Sequence, residues 1–295
     1  MSKLHRRSLL RAALGFAALP VFGGGFAGAS PSGSESQQKG IDRAMAKDIV
    51  MLHGANAGGW CFDNFAKVFE AQGFTCHAPD LIGHGKNKAS AMTALVGVGI
   101  ADYRAEMEAF LKTFDTPPVL LGHSMGAVIA QQLAAQDMAR ALILVSPAPR
   151  AGILPPTGGE KQLDQDLMGL GAFWKSVLPP DFALACIYSL NKVPPSEQRA
   201  VFDQFGPESG LAFFQLFFWM LDVTGATVIA TDKVRCPVLC LSGTDDKLVS
   251  LLTARATAAA YPSAPLWELQ GHGHMLLVEP GADEIAQRIA GWIPG

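Results

Sequence analysis

What most narrows the fold of this chain is an alternation between short apolar runs and longer segments with apolar residues at helical spacing. Asp48-Ile-Val-Met-Leu52 is the first such run, and it ends at His53-Gly54. Trp60 to Gln72 then carries Phe62, Phe65, Val68 and Phe69 at helical spacing and stops at Gly73. Phe74 to Ala78 reads as a second strand. Ile100 to Phe114 reads as a helix with Tyr103, Met107, Phe110 and Leu111 on one face, ended by Pro117-Pro118. Val119-Leu-Leu121 is a strand, Ala127 to Gln136 a helix and Ala141 to Val145 a strand. The series breaks after Pro147. From there to about Lys233 no strand pattern is visible, only Gly/Pro-rich turns and helical patches. It resumes with the strand Val238-Leu-Cys-Leu241, the helix Leu251 to Tyr261, the strand Leu266-Trp-Glu-Leu269 and a closing helix, Ala282 to Trp292. Strand-then-helix repetition implies a parallel sheet with helices on both faces, and right-handed crossovers make it doubly wound. The expected fold class is therefore α/β, with a mostly parallel sheet of about six strands. Residues 48–146 and 234–295 form the core, and residues 147–233 form a mainly helical cap inserted between core strands. No internal repeat is present.

Composition excludes several function classes. Of 295 residues 49% are apolar, enough for a large buried core, and the formal net charge is only −3. No nucleic-acid partner is expected, because no Lys/Arg run lies beyond the N-terminus. The first 29 residues read as a signal peptide. His5-Arg6-Arg7 precedes Ser8-Leu9-Leu10-Arg11, an apolar stretch runs to Phe26, and Ala27-Gly28-Ala29 supplies small residues for cleavage after Ala29. The paired arginines resemble a twin-arginine signal, which implies export of a folded protein to the periplasm or beyond. An uncleaved anchor is the competing reading, weakened by the shortness of the stretch and by Arg11 within it. No stable membrane insertion is expected after cleavage. Ser30 to Lys47 reads as a linker. Five cysteines, an odd number in a large chain, do not make a disulfide scaffold. Cys236 and Cys240 share one strand about 13 Å apart, too far to bond. Cys61 with Cys76 is the alternative pairing, but buried thiols are the preferred reading, and no zinc-ligand spacing with His appears, so neither metal nor cofactor is expected.

The chemistry is concentrated in three loops. Gly122-His-Ser124-Met-Gly126 has the form G-x-S-x-G, a weak pattern alone in a chain with 31 glycines. Its setting strengthens it, because a strand precedes it and a helix follows, the turn that forces the serine out at the sheet's C-terminal edge. The helix N-terminus adds positive potential beside Ser124. Serine needs a base, and the partners should follow in the order acid, then histidine, at later strand ends. Ser242-Gly-Thr-Asp-Asp-Lys247 follows one strand and Gln270-Gly-His-Gly-His-Met275 the next. Asp246 is preferred to Asp245, whose alternative is a turn residue, and His274 is preferred to His272, whose alternative is a solvated loop residue. Two backbone amides should stabilise an oxyanion, those of Met125 and of Ala55 in the loop after the first strand. His53 reads as a structural residue that shapes that loop. His84 and Asp80 read the same way near the site edge, and His123 reads as packing.

His53-Gly54, the 122–126 turn, Gly243-Thr-Asp-Asp246 and Gly273-His274 together resemble the signature of the α/β-hydrolase superfamily. The resemblance covers about Asp48 to Ile293 apart from the cap. His53-Gly-Ala-Asn-Ala-Gly-Gly-Trp-Cys61 and Asp245-Asp-Lys247 are similar to the plant methylesterase and hydroxynitrile-lyase branch, from which the signal peptide is a departure. The resemblance implies the same triad and oxyanion roles. It also implies a sheet shorter than the superfamily's usual eight strands, since little chain precedes Asp48 for two more.

The cap is rich in aromatic residues, and Phe214, Phe218 and Trp219 are candidates for an apolar pocket over Ser124 rather than simple packing. Either reading favours a small hydrophobic ester substrate over a sugar or a highly charged one, although Arg150 could meet one carboxylate. The leading expectation is a serine hydrolase of carboxylic esters or lactones. The alternative is a hydroxynitrile lyase or carbon–carbon bond hydrolase on the same triad, which a pocket lysine, Lys247 or Lys175, would favour. A non-enzymatic ligand-binding protein is a third class, against which the intact triad argues. Dehalogenase and epoxide-hydrolase chemistry is set aside, because it needs a carboxylate where Ser124 stands.

Overall fold

Apolar strands with alternating side chains can bury both faces only if helices cover both, and this is the arrangement found. The computed structural model describes residues 47–154 and 165–294. The expected signal peptide, and the expected linker apart from Lys47, lie outside the described residues. In chain order the main elements are β1 (Asp48–Leu52), α1 (Asp63–Ala71), β2 (Thr75–His77), α2 (Ile100–Leu111), β3 (Val119–His123), α3 (Met125–Ala134) and β4 (Ala141–Val145). After these come β5 (Val177–Leu178), α4 (Phe182–Tyr188), α5 (Pro195–Phe202), β6 (Glu208–Ser209) and α6 (Gly210–Phe217). The chain closes with β7 (Val238–Gly243), α7 (Leu251–Ala259), β8 (Leu266–Leu269) and α8 (Ala282–Trp292).

The core is a six-stranded sheet in the order β2-β1-β3-β4-β7-β8, parallel at every pairing. Its side chains sort by parity. Ile49, Met51, Val119, Leu121 and Ile143 pack with Phe65 and Phe69 of α1 and Ile285 and Ile289 of α8. Val50, Leu52, Leu120, Leu142 and Leu144 pack on the other face, with Tyr103 and Met107 of α2, Val128 and Leu133 of α3 and Ala254 of α7. The four central strands are almost wholly buried, while the edge strands β2 and β8 are short and partly exposed, which limits pairing with other chains.

The chain runs outward from β1 to β2, then returns past β1 to lay down β3. That reversal separates the loops that leave β1 and β3, and such a switch point at the strands' C-terminal ends is where open α/β sheets bind ligands. Crowding there is severe. A Cβ on Gly126 would meet the carbonyl oxygens of Leu52 and His53, and one on Gly122 would lie 2.5 Å from the Ala127 Cα. Only glycine lets β1, β3 and α3 approach this closely.

Between β4 and β7, residues 147–233 carry α4, α5 and α6, as the helical cap requires. The expectation of no strand there is corrected: β5 and β6 form a small antiparallel ribbon, with Val177 opposite Ser209 and Leu178 opposite Glu208. Two residues per strand are too few to show a period-two pattern in sequence. Among the described residues no helix is long and apolar enough to cross a membrane.

Replacing Gly126 by alanine should destabilise the fold by about 1–3 kcal/mol, the cost of overpacking a filled interior. Denaturant unfolding measures this, and an alanine variant as stable as the parent would contradict the backbone contact.

Candidate active site

Three loops at the C-terminal edge of the sheet build the site. Ser124 stands between β3 and α3 with φ 51° and ψ −117°, a left-handed conformation that costs a side-chain-bearing residue free energy. The surrounding packing holds it there, and its N–H donates to the Val145 carbonyl at 3.0 Å. Ser124 is buried but not sealed, and it lines a cavity of about 530 Å³ that is also lined by His274, Ala55 and Asn56. Its hydroxyl has no hydrogen-bond partner among the described residues. Bonds of this kind are often loose until a substrate closes them.

His274, in the loop after β8, is almost fully buried, and its Nδ1 lies 2.8 Å from Asp246 Oδ2. The side chain of Asp246, in the loop after β7, is itself fully buried. Its Oδ1 accepts the N–H groups of Leu248 and Val249, each at 2.9 Å. The carboxylate is thus fixed, Nδ1 is occupied, and Nε2 is the ring nitrogen left for chemistry in the cavity. Asp245 is elsewhere: its side chain is half exposed and pairs with Lys192 of the cap. His272 turns to the buried carboxylate of Glu279 at 3.2 Å, so the solvated-residue alternative is too simple. Glu279 also accepts the Gly273 N–H at 2.9 Å and so steadies the backbone next to His274. Burial raises its pKa, and the Gly273 and His272 donors act against that. Sequence reading missed Glu279, though its place five residues after His274 and three before the closing helix was visible.

The remaining histidines near the site have both tautomer and role set by their partners. His53 Nε2 accepts the Leu81 N–H at 3.0 Å, and its Nδ1 faces the Gly54 carbonyl at 2.8 Å. Both nitrogens are used, and burial, with His84 alongside, lowers its pKa to about 4. His123 lines the cavity but bonds the His274 carbonyl through Nε2 at 3.0 Å, and burial, then His274, lowers its pKa to about 3. It supports the histidine loop in addition to packing. Asp80 accepts backbone N–H groups from Gly59 at 2.8 Å and Lys86 at 3.0 Å.

Ala55 lies on the cavity wall, and Met125 occupies the first position of α3, where an amide has no intrahelical acceptor. Among the described residues neither amide donates to a protein acceptor. Gly54 lies directly against Ser124, since a Cβ there would come within 2.8 Å of the Ser124 Cβ. Both amides are thus unspent, one on the cavity wall and the other directly after Ser124 in the chain.

The pocket residues expected from sequence require correction. Phe213 and Phe217 of α6 line the cavity, with Phe205, Leu178 and Leu184, whereas Phe214, Phe218 and Trp219 do not. Phe214 and Phe218 stack on each other at 5.9 Å and pack against Phe173, and Trp219 donates its indole N–H to the Ile153 carbonyl at 2.9 Å. The helix is apolar on both stripes, and the stripe one residue earlier, Phe213 and Phe217, faces inward. Arg150 bonds the Ala151 carbonyl and does not line the cavity. Asp181 is the one charged residue on the described wall, and its carboxylate is engaged in capping α4 through the Leu184 N–H at 2.9 Å. Among the described residues no group of His, Cys, Asp and Glu is arranged to hold a metal ion.

Residues 49–288 match the profile described as the Alpha/beta hydrolase family. A pyrethroid hydrolase from Sphingobium wenxiniae is 33% identical over 113 residues, 37% of this chain and 39% of that enzyme, so the match spans about two fifths of its length. Methylesterase 7 from Arabidopsis thaliana is 32% identical over 94 residues, 30% of this chain and 35% of the relative. Among solved structures, an extracellular alpha/beta-hydrolase from a Paenibacillus species superposes with a TM-score of 0.63 at 20% identity, covering 83% of this chain and 98% of that one. An Arabidopsis methylesterase superposes with a TM-score of 0.61 at 14% identity, covering 83% and 99%.

The two neutral histidines imply an acid-sensitive site. Their folded pKa values, about 4 for His53 and about 3 for His123, lie below the unfolded value near 6.5. Between those limits the unfolded chain binds more protons, so stability is full above the unfolded value and falls as pH falls. Denaturation midpoints measured from about pH 7 to about pH 4 should report an uptake of about two protons from this pair on unfolding. A flat profile would mean that these rings are hydrated.

Proposed function

The chain belongs to the alpha/beta hydrolase family, and on that footing we propose that it hydrolyses hydrophobic carboxylic esters or lactones through an acyl-enzyme on Ser124. The observation that carries this reading is the meeting of Ser124 and the Asp246–His274 pair at one apolar cavity.

Ser124 Oγ attacks the ester carbonyl carbon while His274 Nε2 takes the hydroxyl proton. Asp246 holds the ring in the tautomer that leaves Nε2 bare and stabilises the imidazolium once formed. The carbonyl oxygen becomes an oxyanion and receives the N–H groups of Ala55 and Met125. Collapse expels the alcohol, which leaves with the proton from His274. Water, deprotonated by the same nitrogen, then attacks the acyl-enzyme and releases the acid and free Ser124.

The wall chooses the substrate class. Phe205, Phe213, Phe217, Leu178 and Leu184 offer apolar surface, and among the described lining residues there is no lysine or arginine to bind a phosphate or carboxylate. A volume of about 530 Å³ suits a small-molecule ester. The similar proteins named for pyrethroid hydrolysis and methylesterase activity agree with ester cleavage. Neither Lys247 nor Lys175 lines the cavity, so the lysine that would favour a cyanohydrin lyase is missing among the described residues. The pattern of residues 1–29 supports export of the enzyme to the periplasm or beyond.

Ser124→Ala should lower turnover of p-nitrophenyl esters about 10⁴-fold or more with the fold retained, and Asp246→Asn should approach the same loss. A fluorophosphonate should label Ser124 alone. The decisive measurement is a series of p-nitrophenyl esters of rising chain length beside lactones and mandelonitrile. Turnover of the nitrile alone would remove the esterase reading. In the same assay Phe217→Ala should raise KM for long-chain esters, while Phe218→Ala should act on stability and leave the KM trend with chain length unchanged.

A further inference from the structure

Among the described residues, a buried carboxylate with four hydrogen-bond partners lies outside the proposed triad. Glu208, on the cap strand β6, is fully buried, and both its oxygens are doubly engaged. Oε1 accepts the Tyr103 hydroxyl at 2.6 Å and the Ser209 N–H at 2.7 Å. Oε2 lies 3.0 Å from His84 Nε2 and accepts the Asn56 N–H at 3.4 Å. His84, also fully buried, faces the Ile82 carbonyl through Nδ1 at 2.8 Å. With an acceptor on each nitrogen its ring is a double donor, the imidazolium form. Burial opposes that charge, but Glu208 outweighs it and raises the His84 pKa, and His84 in turn lowers that of Glu208 against the same penalty.

The fourth bond of this cluster reaches the oxyanion loop. Asn56 directly follows Ala55, and the cap holds it at three points. Its N–H goes to Glu208, its side-chain Nδ2 donates to the Gly206 carbonyl at 2.8 Å, and its own carbonyl accepts the Gly206 N–H at 2.8 Å. The Ala57 N–H closes a turn onto the Gly54 carbonyl at 3.3 Å, and within that turn Asn56 has φ 61°. A positive φ at the third position is the type II arrangement, and a shift to negative φ would flip the Ala55–Asn56 peptide, take the Asn56 N–H off Glu208 and loosen the turn that carries the Ala55 N–H. Released from the cap, the turn would be free to exchange between the two arrangements.

We propose that Glu208 is a positioning residue for the reaction: from the cap, with Gly206, it anchors Asn56 and so fixes in place the Gly54–Ala57 turn that carries the Ala55 N–H toward the oxyanion. This rests on the reading that Ala55 supplies one oxyanion donor to a Ser124-bound intermediate. The cap then completes the catalytic apparatus as well as covering the substrate.

The test uses the full-length protein with p-nitrophenyl butyrate and an aryl trifluoromethyl ketone, which forms an oxyanion on the serine. Glu208→Gln keeps the shape and removes the charge. It should lower kcat by about 10–100-fold, the scale for an impaired oxyanion donor, with KM changed less than about twofold. Affinity for the trifluoromethyl ketone should fall by the same factor as kcat. A residue that merely packs the cap would do the reverse, raising KM or lowering the melting temperature with kcat and ketone affinity intact, and that result overturns the proposal. Should Glu208→Gln not fold, Asn56→Ala carries the same test, because it deletes the bond to Gly206 and disfavours positive φ. The same kcat loss supports the proposal, and an unchanged kcat overturns it. Ser124→Ala, run in parallel, separates the two levels. Retained turnover there would refute the serine mechanism itself. Its loss, alongside a wild-type kcat for Glu208→Gln, would refute only the role of Glu208.

Discussion

The structure turns on a backbone crossing that has no room for side chains. Where β1, β3 and α3 converge, Gly122 and Gly126 allow main chains to touch, and Ser124, midway between them, is driven into a conformation that L-amino acids avoid. The placement of the other parts follows from that convergence. The β1 loop can lie against Ser124 only because Gly54 has no side chain, and the first amide of α3 stays unspent because the helix begins one residue after the serine. Strand order supplies the rest, since the reversal between β1 and β3 leaves the crevice open on the same edge. Parallel pairing then delivers the loops after β7 and β8 to that edge with Asp246 and His274.

The histidines show how one side-chain type is given different work by its partners. His53 and His123 are buried without a carboxylate in hydrogen-bond contact and are held neutral, as backbone clamps. His84 is buried against Glu208 and carries charge. His274 alone combines a buried carboxylate on Nδ1 with an edge on the cavity. The distinction rests on what each ring's nitrogens meet. His53 and His84 use both, one of them on a peptide carbonyl, while His123 and His274 each leave one nitrogen without a partner among the described residues, and of these two only His274 has a carboxylate on the other.

Much of this was legible in the sequence, and what was not has physical reasons. The strand–helix alternation from Asp48 to Val145 gave the sheet, because buried parallel strands leave continuous apolar runs. Ser124, Asp246 and His274 were placed at strand ends by order along the chain, and their convergence follows from parallel pairing. Choosing between Asp245 and Asp246, by contrast, needs the direction of each carboxylate, which neighbouring positions in a loop do not reveal. The inward stripe of α6 was invisible for a different reason. Phe213, Phe214, Phe217 and Phe218 are apolar on both sides, so periodicity marks a buried helix without saying which side meets the cavity. Glu208 left no signal at all. It is a single carboxylate in a cap segment, and its partners Tyr103, His84 and Asn56 lie 105 to 152 residues away.

Those long-range bonds bear on what the cap is. A loosely hinged lid would touch the core through apolar surface that it could slide across. Here the cap is tied on both sides of the cavity by directed polar contacts. On the acid side, Asn191 donates to the Asp245 carbonyl at 2.9 Å, and Lys192 pairs with the Asp245 carboxylate. On the oxyanion side, Gly206 and Glu208 hold Asn56. The two ties differ in strength for a reason visible in their exposure. The Lys192 pair is partly exposed and so is worth little, whereas separating Glu208 from His84 would leave two buried charges uncompensated. The cap's most deeply buried polar tie thus falls on Asn56, directly beside Ala55.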